Sequence, residues 1–301
     1  MNIGIVRRNG LGDLLCVMPL VHLCKERFPG CQVTLFVDER GAPLLSYLKV
    51  IDEAVVLSAK YASLLTALKN RYKKFDLLIS AKPSPMKLLN LFLYFLGGKN
   101  RIAYVDQAWH SKLINQPRSF DPKEEKHQMV KSLRLLDPLL EAVPDSLRPR
   151  LTVKPSFQFD QKTILISVSN NRLGSTLDGD KTQRILNRIK KPFKVIINCE
   201  PADFDRAKLL GKGLHMSYEV IPTPSFDTFI SLMASIDACF IGDGGIMHLA
   251  AALDKPQVVL FGGTKIWEWA PASEKAICLA DPKNVNFIPE ETIFQAVEKI
   301  L

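Results

Sequence analysis

The sequence predicts an α/β protein of two similar halves, each a parallel sheet covered on both faces by helices. Three observations carry this. Short β-branched or apolar runs alternate with longer helical patterns along the whole chain, the mark of βαβ units. The alternation stops at 142–160, "AVPDSLRPRLTVKPSFQFD", where three prolines and no period mark an interdomain linker. It restarts at 162–169, "KTILISVS". A length of 301 residues fits two domains at about 150 residues each. We place them at 1–150 and 151–301.

In the first half, 2–7 "NIGIVR", 31–37 "CQVTLFV", 53–57 "EAVVL", 75–80 "FDLLIS" and 101–105 "RIAYV" read as strands. Helices fit 13–28, 61–73 and 84–96 between them. Residues 106–123 have no period and hold two prolines, so they read as a long loop. A helix follows at 124–141. In the second half, strands fit 162–169, 194–198, 217–221, 237–241 and 257–261. Helices fit 181–190, 203–211, 225–235 and 245–253. A final amphipathic helix, 289–301, is expected to pack back toward the N-terminal domain.

Hydrophobic content of 47% and charged content of 24% are ordinary for a soluble globular chain. The net charge of +9 is not, and it favours anionic partners. Nucleic acid is set aside, because no RNA- or DNA-binding motif appears. The six cysteines form no CxxC pair and sit mostly in apolar contexts, which points to a reducing, cytoplasmic setting. The N-terminal apolar run is too short for a signal peptide. The longest apolar segment, 88–98 "LLNLFLYFLGG", is too short to span a bilayer. It reads as a buried helix, with a membrane-surface helix as the alternative.

Two glycine turns stand out. "RRNGLGDLL" (7–15) joins the first strand to the first helix, at the strand edge where open parallel sheets bind ligands. Gly10 and Gly12 let backbone approach an anion, and Arg7 and Arg8 flank the turn. Asp13 reads either as a helix N-cap or as a carboxylate at the mouth of a ligand cleft, able to take a proton from a substrate hydroxyl. Asp38 ends the second strand where a dinucleotide fold places its ribose acid, so a nicotinamide-dependent oxidoreductase is one alternative. The second turn is "IGDGG" (241–245), with Asp243, Gly244 and Gly245 opening a helix that carries His248. Helical side chains lean toward the N-terminus, which aims His248 at an anion bound there. The next strand delivers Gly262, Gly263 and Thr264 to the same edge. No His/Cys/Asp cluster has metal-ligand spacing, so no metal is expected.

Beyond these readings, the chain resembles a known family. "RRNGLGDLLCVMPLVHLCKERFPGCQVTLFV", "EKHQMVKSLRLLDPL" and "SLMASIDACFIGDGGIMHLAAALDKPQVVLFGGTKIWEWAP" are similar to three signature blocks of glycosyltransferase family 9, the lipopolysaccharide heptosyltransferases. The resemblance implies a GT-B fold, two Rossmann-like domains with parallel sheets facing across a cleft. It implies metal-independent, inverting transfer of a heptose from an ADP-sugar, a substrate and not a cofactor, to an anionic lipopolysaccharide core acceptor. Asp13 then matches the general base. Asp243, Gly244, Gly245, His248 and Thr264 match donor contacts, Pro224 in "PTPSF" borders the base, and Asp203 or Asp205 meets the ribose. Arg7, Arg8, Gly10 and Gly12 would hold the phosphorylated glycolipid acceptor. Where the family has a phosphate-binding Lys and a Trp-Pro, this chain reads "SVSNNRLGSTLDGDKTQRIL" (167–186), leaving Arg172 or Lys181 for the phosphate. Asp-Gly-Gly replaces the common Asp-Thr-Gly. These departures leave a non-catalytic nucleotide- or glycan-binding member as a further alternative. The expected setting is cytoplasmic, in peripheral contact with the inner-membrane surface, as a monomer.

Overall fold

The computed structural model describes residues 1–57, 59–170 and 172–301. The chain divides into two compact units, Met1–Pro149 and Arg150–Leu301. The first holds β1 (Asn2–Arg7), β2 (Gln32–Asp38), β3 (Glu53–Leu57), β4 (Leu77–Ser80), β5 (Asn100–Val105) and β6 (Gln116–Ser119). They form one sheet in the order β3-β2-β1-β4-β5-β6, and every pairing is parallel. The second holds β7 (Thr163–Ser167), β8 (Lys194–Cys199), β9 (Tyr218–Pro222), β10 (Ala238–Gly242), β11 (Gln257–Gly262) and β12 (Ala276–Asp281). Their order is β12-β11-β10-β7-β8-β9, again parallel throughout. Both are doubly wound sheets whose strand order reverses once, between β1 and β4 and between β7 and β10. At such a switch point the flanking loops diverge and leave a crevice at the carboxyl ends of the strands.

Burial explains the continuous apolar runs. β1, β2 and β10 are covered on both faces, so every second residue cannot be polar. In the first unit Phe36 stacks edge-on against Phe75 and Phe92, with ring centroids 5.9 and 5.2 Å apart. The helix Lys87–Leu96 drives Leu89, Phe92, Leu93 and Leu96 into that core and stops at left-handed Gly97. The 88–98 segment is therefore a buried helix. In the second unit Ile164, Ile166, Phe240, Val258 and Leu260 meet Ile185 and Leu186 from the helix Gly179–Asn187.

Several elements differ from the sequence expectation. The 13–28 helix is two helices, Leu11–Leu15 and Met18–Arg27, because Pro19 in the first turn of the second has no N–H to continue the first. The 106–123 loop contains β6, a short strand that holds Pro117 because it lies at the sheet edge. The 124–141 helix is only Gln128–Arg134; His127 caps it by accepting from the Met129 N–H at 3.1 Å. Pro138 disfavours a longer helix at its C-terminal end. The edge strand β12 was not foreseen. The last helix, Glu290–Ile300, spends its apolar face inside the second unit: Ile293, Ala296 and Val297 join that core. Ion pairs Arg184–Glu290 and Arg188–Glu291 fasten it there.

All six cysteines are free. Burial pushes the thiols of Cys16, Cys24 and Cys239 up to about 12, which keeps them protonated and unreactive. Among the described residues no helix is long and apolar enough to cross a membrane.

Candidate functional site

At the first switch point β1 delivers Arg7 to the strand edge. Its Nη1 donates to the Ala81 carbonyl at 2.8 Å, just past the end of β4. Its Nη2 donates to Asp13 Oδ1, and Asn9 Nδ2 donates to the same oxygen at 3.4 Å. Asp13 is the third residue of the helix Leu11–Leu15, whose N-cap is Gly10 without a side-chain cap bond. The N-cap reading of Asp13 is thus corrected: its carboxylate reaches back to Arg7 and caps nothing. The Arg7 side chain is 1% exposed and that of Asp13 20%.

The rest of this turn is clamped by Asp38. Arg8 Nε donates to its Oδ1 at 2.7 Å, and the Asn9 backbone N–H to its Oδ2 at 2.9 Å. Asn9 itself is left-handed, a conformation asparagine tolerates. Asp38 is therefore spent on holding the turn, which removes the ribose acid that an oxidoreductase would need. Gly10 and Gly12 open the helix as expected. Arg7 is buried and Arg8 is tied to Asp38, so neither reaches out to an acceptor. Sequence reasoning missed a third cation at this edge, Lys82. Lys82 is half-buried two residues past β4, with Arg7 and Asp13 close enough to act on its charge. Burial, and then Arg7, hold its ammonium below the ordinary lysine range, with Asp13 opposing them. Its position directly across the switch point from β1 was the available signal.

At the second switch point Asp243 follows β10 and is fully buried. Its Oδ2 accepts from Arg172 Nη1 at 2.6 Å, and the same nitrogen donates to Thr264 Oγ1 at 3.1 Å. Asp243 Oδ1 is buried with no hydrogen-bond partner among the described residues. The backbone is held as well, with Asn170 Nδ2 donating to the Asp243 carbonyl at 3.3 Å. The Arg172 side chain is 49% exposed. On the neighbouring loop, Asp203 Oδ2 accepts from Ser169 Oγ at 2.5 Å, tying the ends of β7 and β8 together. Pro224 is exposed just past β9, and Asp205 is exposed in the first turn of the helix Phe204–Lys212.

Two expected ligands are placed elsewhere. Lys181 is buried and donates to the carbonyls of Asn286 at 2.8 Å and Ile288 at 2.5 Å. It staples the helix Gly179–Asn187 to the segment before the last helix, leaving Arg172 as the phosphate candidate of the 167–186 segment, whose Asn171 lies outside the described residues. His248 lies in the helix Gly245–Ala252, as expected, but is only 3% exposed and stands edge-on to Trp269 at 6.4 Å. Its ring is almost closed to solvent.

The paired glycines have a cause in the chain itself. The 3-10 turn Leu173–Ser175 passes directly over the ends of β10 and β11. A Cβ at Gly242 would stand 2.0 Å from the Ser175 carbonyl oxygen, and one at Gly262 only 1.8 Å from that of Gly174. No side chain fits at either position. A Cβ at Gly244, by contrast, would meet nothing within 4 Å. Gly242 and Gly262 therefore seat Arg172's loop, while Gly244 keeps an open helix start. A cavity of about 450 Å³ opens beside this loop, with Ile166, Phe240 and Leu260 among its lining. Among the described residues no group of three or more His, Cys, Asp and Glu side chains could hold a metal ion.

Two doubly wound units, each with a charged site at its switch point, are the build of a GT-B glycosyltransferase. The model of glycosyltransferase family 9 (heptosyltransferase) matches residues 63–292, and the chain belongs to this family. The Arg7–Asp13 turn lies outside those matched residues. The chain is similar to lipopolysaccharide heptosyltransferase 3 of Escherichia coli strain K12, 22% identical over 96% of this chain and 95% of that one. It superimposes on E. coli ADP-heptose LPS heptosyltransferase II with a TM-score of 0.81, 18% identity, and coverage of 100% of this chain and 98% of that one. An E. coli heptosyltransferase solved with ADP gives a TM-score of 0.77 at 17% identity, with both chains fully covered. These two likenesses show the GT-B fold.

Proposed function

We propose that the protein moves a heptose-type sugar from an ADP-sugar to an anionic lipopolysaccharide core acceptor, with inversion and without a metal. The observation that carries this is the opposite burial of two Arg–Asp pairs. In the first unit the carboxylate is the more exposed partner; in the second it is the guanidinium. The first unit thus offers a base, and the second a cation for a leaving diphosphate.

In this reading the first unit takes the acceptor. Arg7 and Asn9 orient Asp13, whose carboxylate removes the proton of the attacking hydroxyl as the oxygen closes on the anomeric carbon. Lys82 meets an acidic group of the acceptor. The second unit takes the donor. The departing diphosphate is met by Arg172, the Thr264 hydroxyl and the N–H groups of Gly244 and Gly245 at the helix start. Asp243 holds Arg172, and His248, within that helix, packs against Trp269. Asp203 meets the ribose and Pro224 borders the base. The family membership and the fold shared with an ADP-bound heptosyltransferase support this division. A glycolipid acceptor places the protein at the cytoplasmic face of the inner membrane, working as a monomer.

The test is incubation with ADP-heptose and a phosphorylated core acceptor, following ADP release and the anomeric configuration of the product. Retained configuration removes the direct displacement. ADP binding without ADP release makes the chain a binding member only.

A further inference from the structure

We propose that the outer face of the helix Ser63–Asn70 is the surface by which the protein lies on an anionic lipid bilayer. The helix has two apolar faces. Leu64 and Ala67 pack on the first unit's core. On another side Tyr61, Leu65, Leu68 and Tyr72 are 57%, 62%, 46% and 75% exposed. The 3-10 turns Lys60–Ala62 and Arg71–Lys73 extend the helix at either end. At 100° per residue Leu65 and Leu68 point outward about 60° apart on a side that flanks the buried face, and the exposed tyrosines of the two 3-10 turns continue that surface at either end. Four large apolar side chains in one exposed stripe mark an interaction surface.

Charge decides the occupant. Residues 60–74 carry Lys60, Lys69, Arg71, Lys73 and Lys74, and no acidic residue lies between Glu53 and Asp76. Among the described residues, Lys73 alone of these has a carboxylate partner, Glu53. Lys60, Lys69, Arg71 and Lys74 are exposed beside the stripe. Tyrosine and leucine in a row of lysines match the headgroup boundary of an anionic bilayer, where apolar burial and charge attraction add. A protein partner would have to bring an acidic groove of the same length.

The stripe also starts beside the Asp13 turn, since Arg8 Nη1 reaches the Lys60 carbonyl at 3.5 Å. A bilayer on this face would hold lipid headgroups next to Asp13 and Lys82. This use of the surface rests on the proposed glycolipid acceptor, but the binding does not, and it is measured without donor or acceptor.

The experiment is co-sedimentation with phosphatidylcholine vesicles, with and without phosphatidylglycerol. The wild type is expected on the anionic vesicles only, and to be released by salt. The Leu65→Gln/Leu68→Gln double variant is expected to bind at least about tenfold more weakly, and Lys69→Glu more weakly too, because apolar burial and charge both contribute. Both variants should unfold at the wild-type temperature and release ADP normally with a delipidated, soluble acceptor. Wild type absent from anionic vesicles, or variants that bind like wild type, overturn the proposal. So does a wild-type dimer, seen by sedimentation equilibrium without lipid, that the leucine substitutions dissolve. Loss of glycosyl transfer with vesicle binding intact would instead overturn only the proposed reaction.

Discussion

The two switch points carry the same pair of residue types with burial reversed. In the first unit Arg7 is 1% exposed and Asp13 20%; in the second Asp243 is fully buried and Arg172 is 49% exposed. Each buried member is fixed by the sheet: Arg7 by the Ala81 carbonyl past β4, Asp243 by its own N–H to the Leu260 carbonyl at 2.8 Å. An ion pair anchored at one end holds the other end in a defined place at little entropic cost to a ligand. What reaches solvent is then a carboxylate on one edge and a guanidinium on the other. The pair is the same device, and its orientation sets the chemistry each edge can do.

That contrast can be broken in stages. Asp13→Asn keeps the shape but loses the base, so turnover is expected to fall about 10²- to 10⁴-fold. ADP affinity should stay at the wild-type value by calorimetry. Turnover that survives would remove Asp13 from the reaction and with it the meaning of its exposure. Arg172→Ala should weaken ADP binding roughly ten- to hundredfold, the worth of a hydrogen bond to a charged group. It also strands the buried Asp243 carboxylate, costing stability of about 3–5 kcal/mol. Adding Asp243→Ala should restore part of the stability and none of the affinity; recovery of both would mean the pair is only structural.

Lys82 provides a pH handle. Its folded pKa lies below that of an ordinary lysine, so its charge disappears at lower pH than usual. The KM for an anionic acceptor should therefore rise as pH increases through that lowered pKa, while kcat changes little. In Lys82→Arg the rise should move beyond the accessible range, since arginine stays charged. A KM profile identical in the two proteins would disconnect Lys82 from the acceptor. Gly242→Ala forces a Cβ onto the Ser175 carbonyl and should lower stability by about 1–3 kcal/mol, read as a lower unfolding temperature. The smallest expected effect is Lys181→Met, which should leave ADP affinity unchanged although the residue lies in the segment first considered for the phosphate.

The sequence made most of the fold legible. Runs such as "IGIV" and "ACFI" are apolar at consecutive positions because strands buried on both faces leave no polar side. Edge strands broke the rule. β6 holds Pro117 and offered no apolar run; β12 does carry one, "AICLA" (276–280), yet stays only half-buried along its length at the sheet edge. The 13–28 helix has an unbroken pattern, yet one proline divides it. At the site, Asp13, Asp243 and Thr264 were visible as residues of the turns that follow strands, and Arg172 only through the family resemblance, beside Lys181. Lys82 was not, since a lone lysine before a proline has no motif around it. Tyr61, Leu65, Leu68 and Tyr72 were also hidden, because one helix with two apolar faces reads as an ordinary amphipathic one.

By itself, the sequence determined two doubly wound sheets, their glycine turns and the strand edge on which charged residues would gather. These are local properties: period, turn chemistry and composition act over a few neighbouring residues. Only the tertiary structure decided which charged residue of each set is buried, clamped or presented. Arg7 and Arg8 are neighbours, yet one is anchored to Ala81, 74 positions away, and the other to Asp38, 30 away. Arg172 and Lys181 were equal candidates until Asp243 and Thr264, 71 and 92 residues distant, met the first. Carbonyls 105 and 107 residues away took the second. Burial and partnership at a switch point depend on which distant strands become neighbours, and no local pattern encodes that.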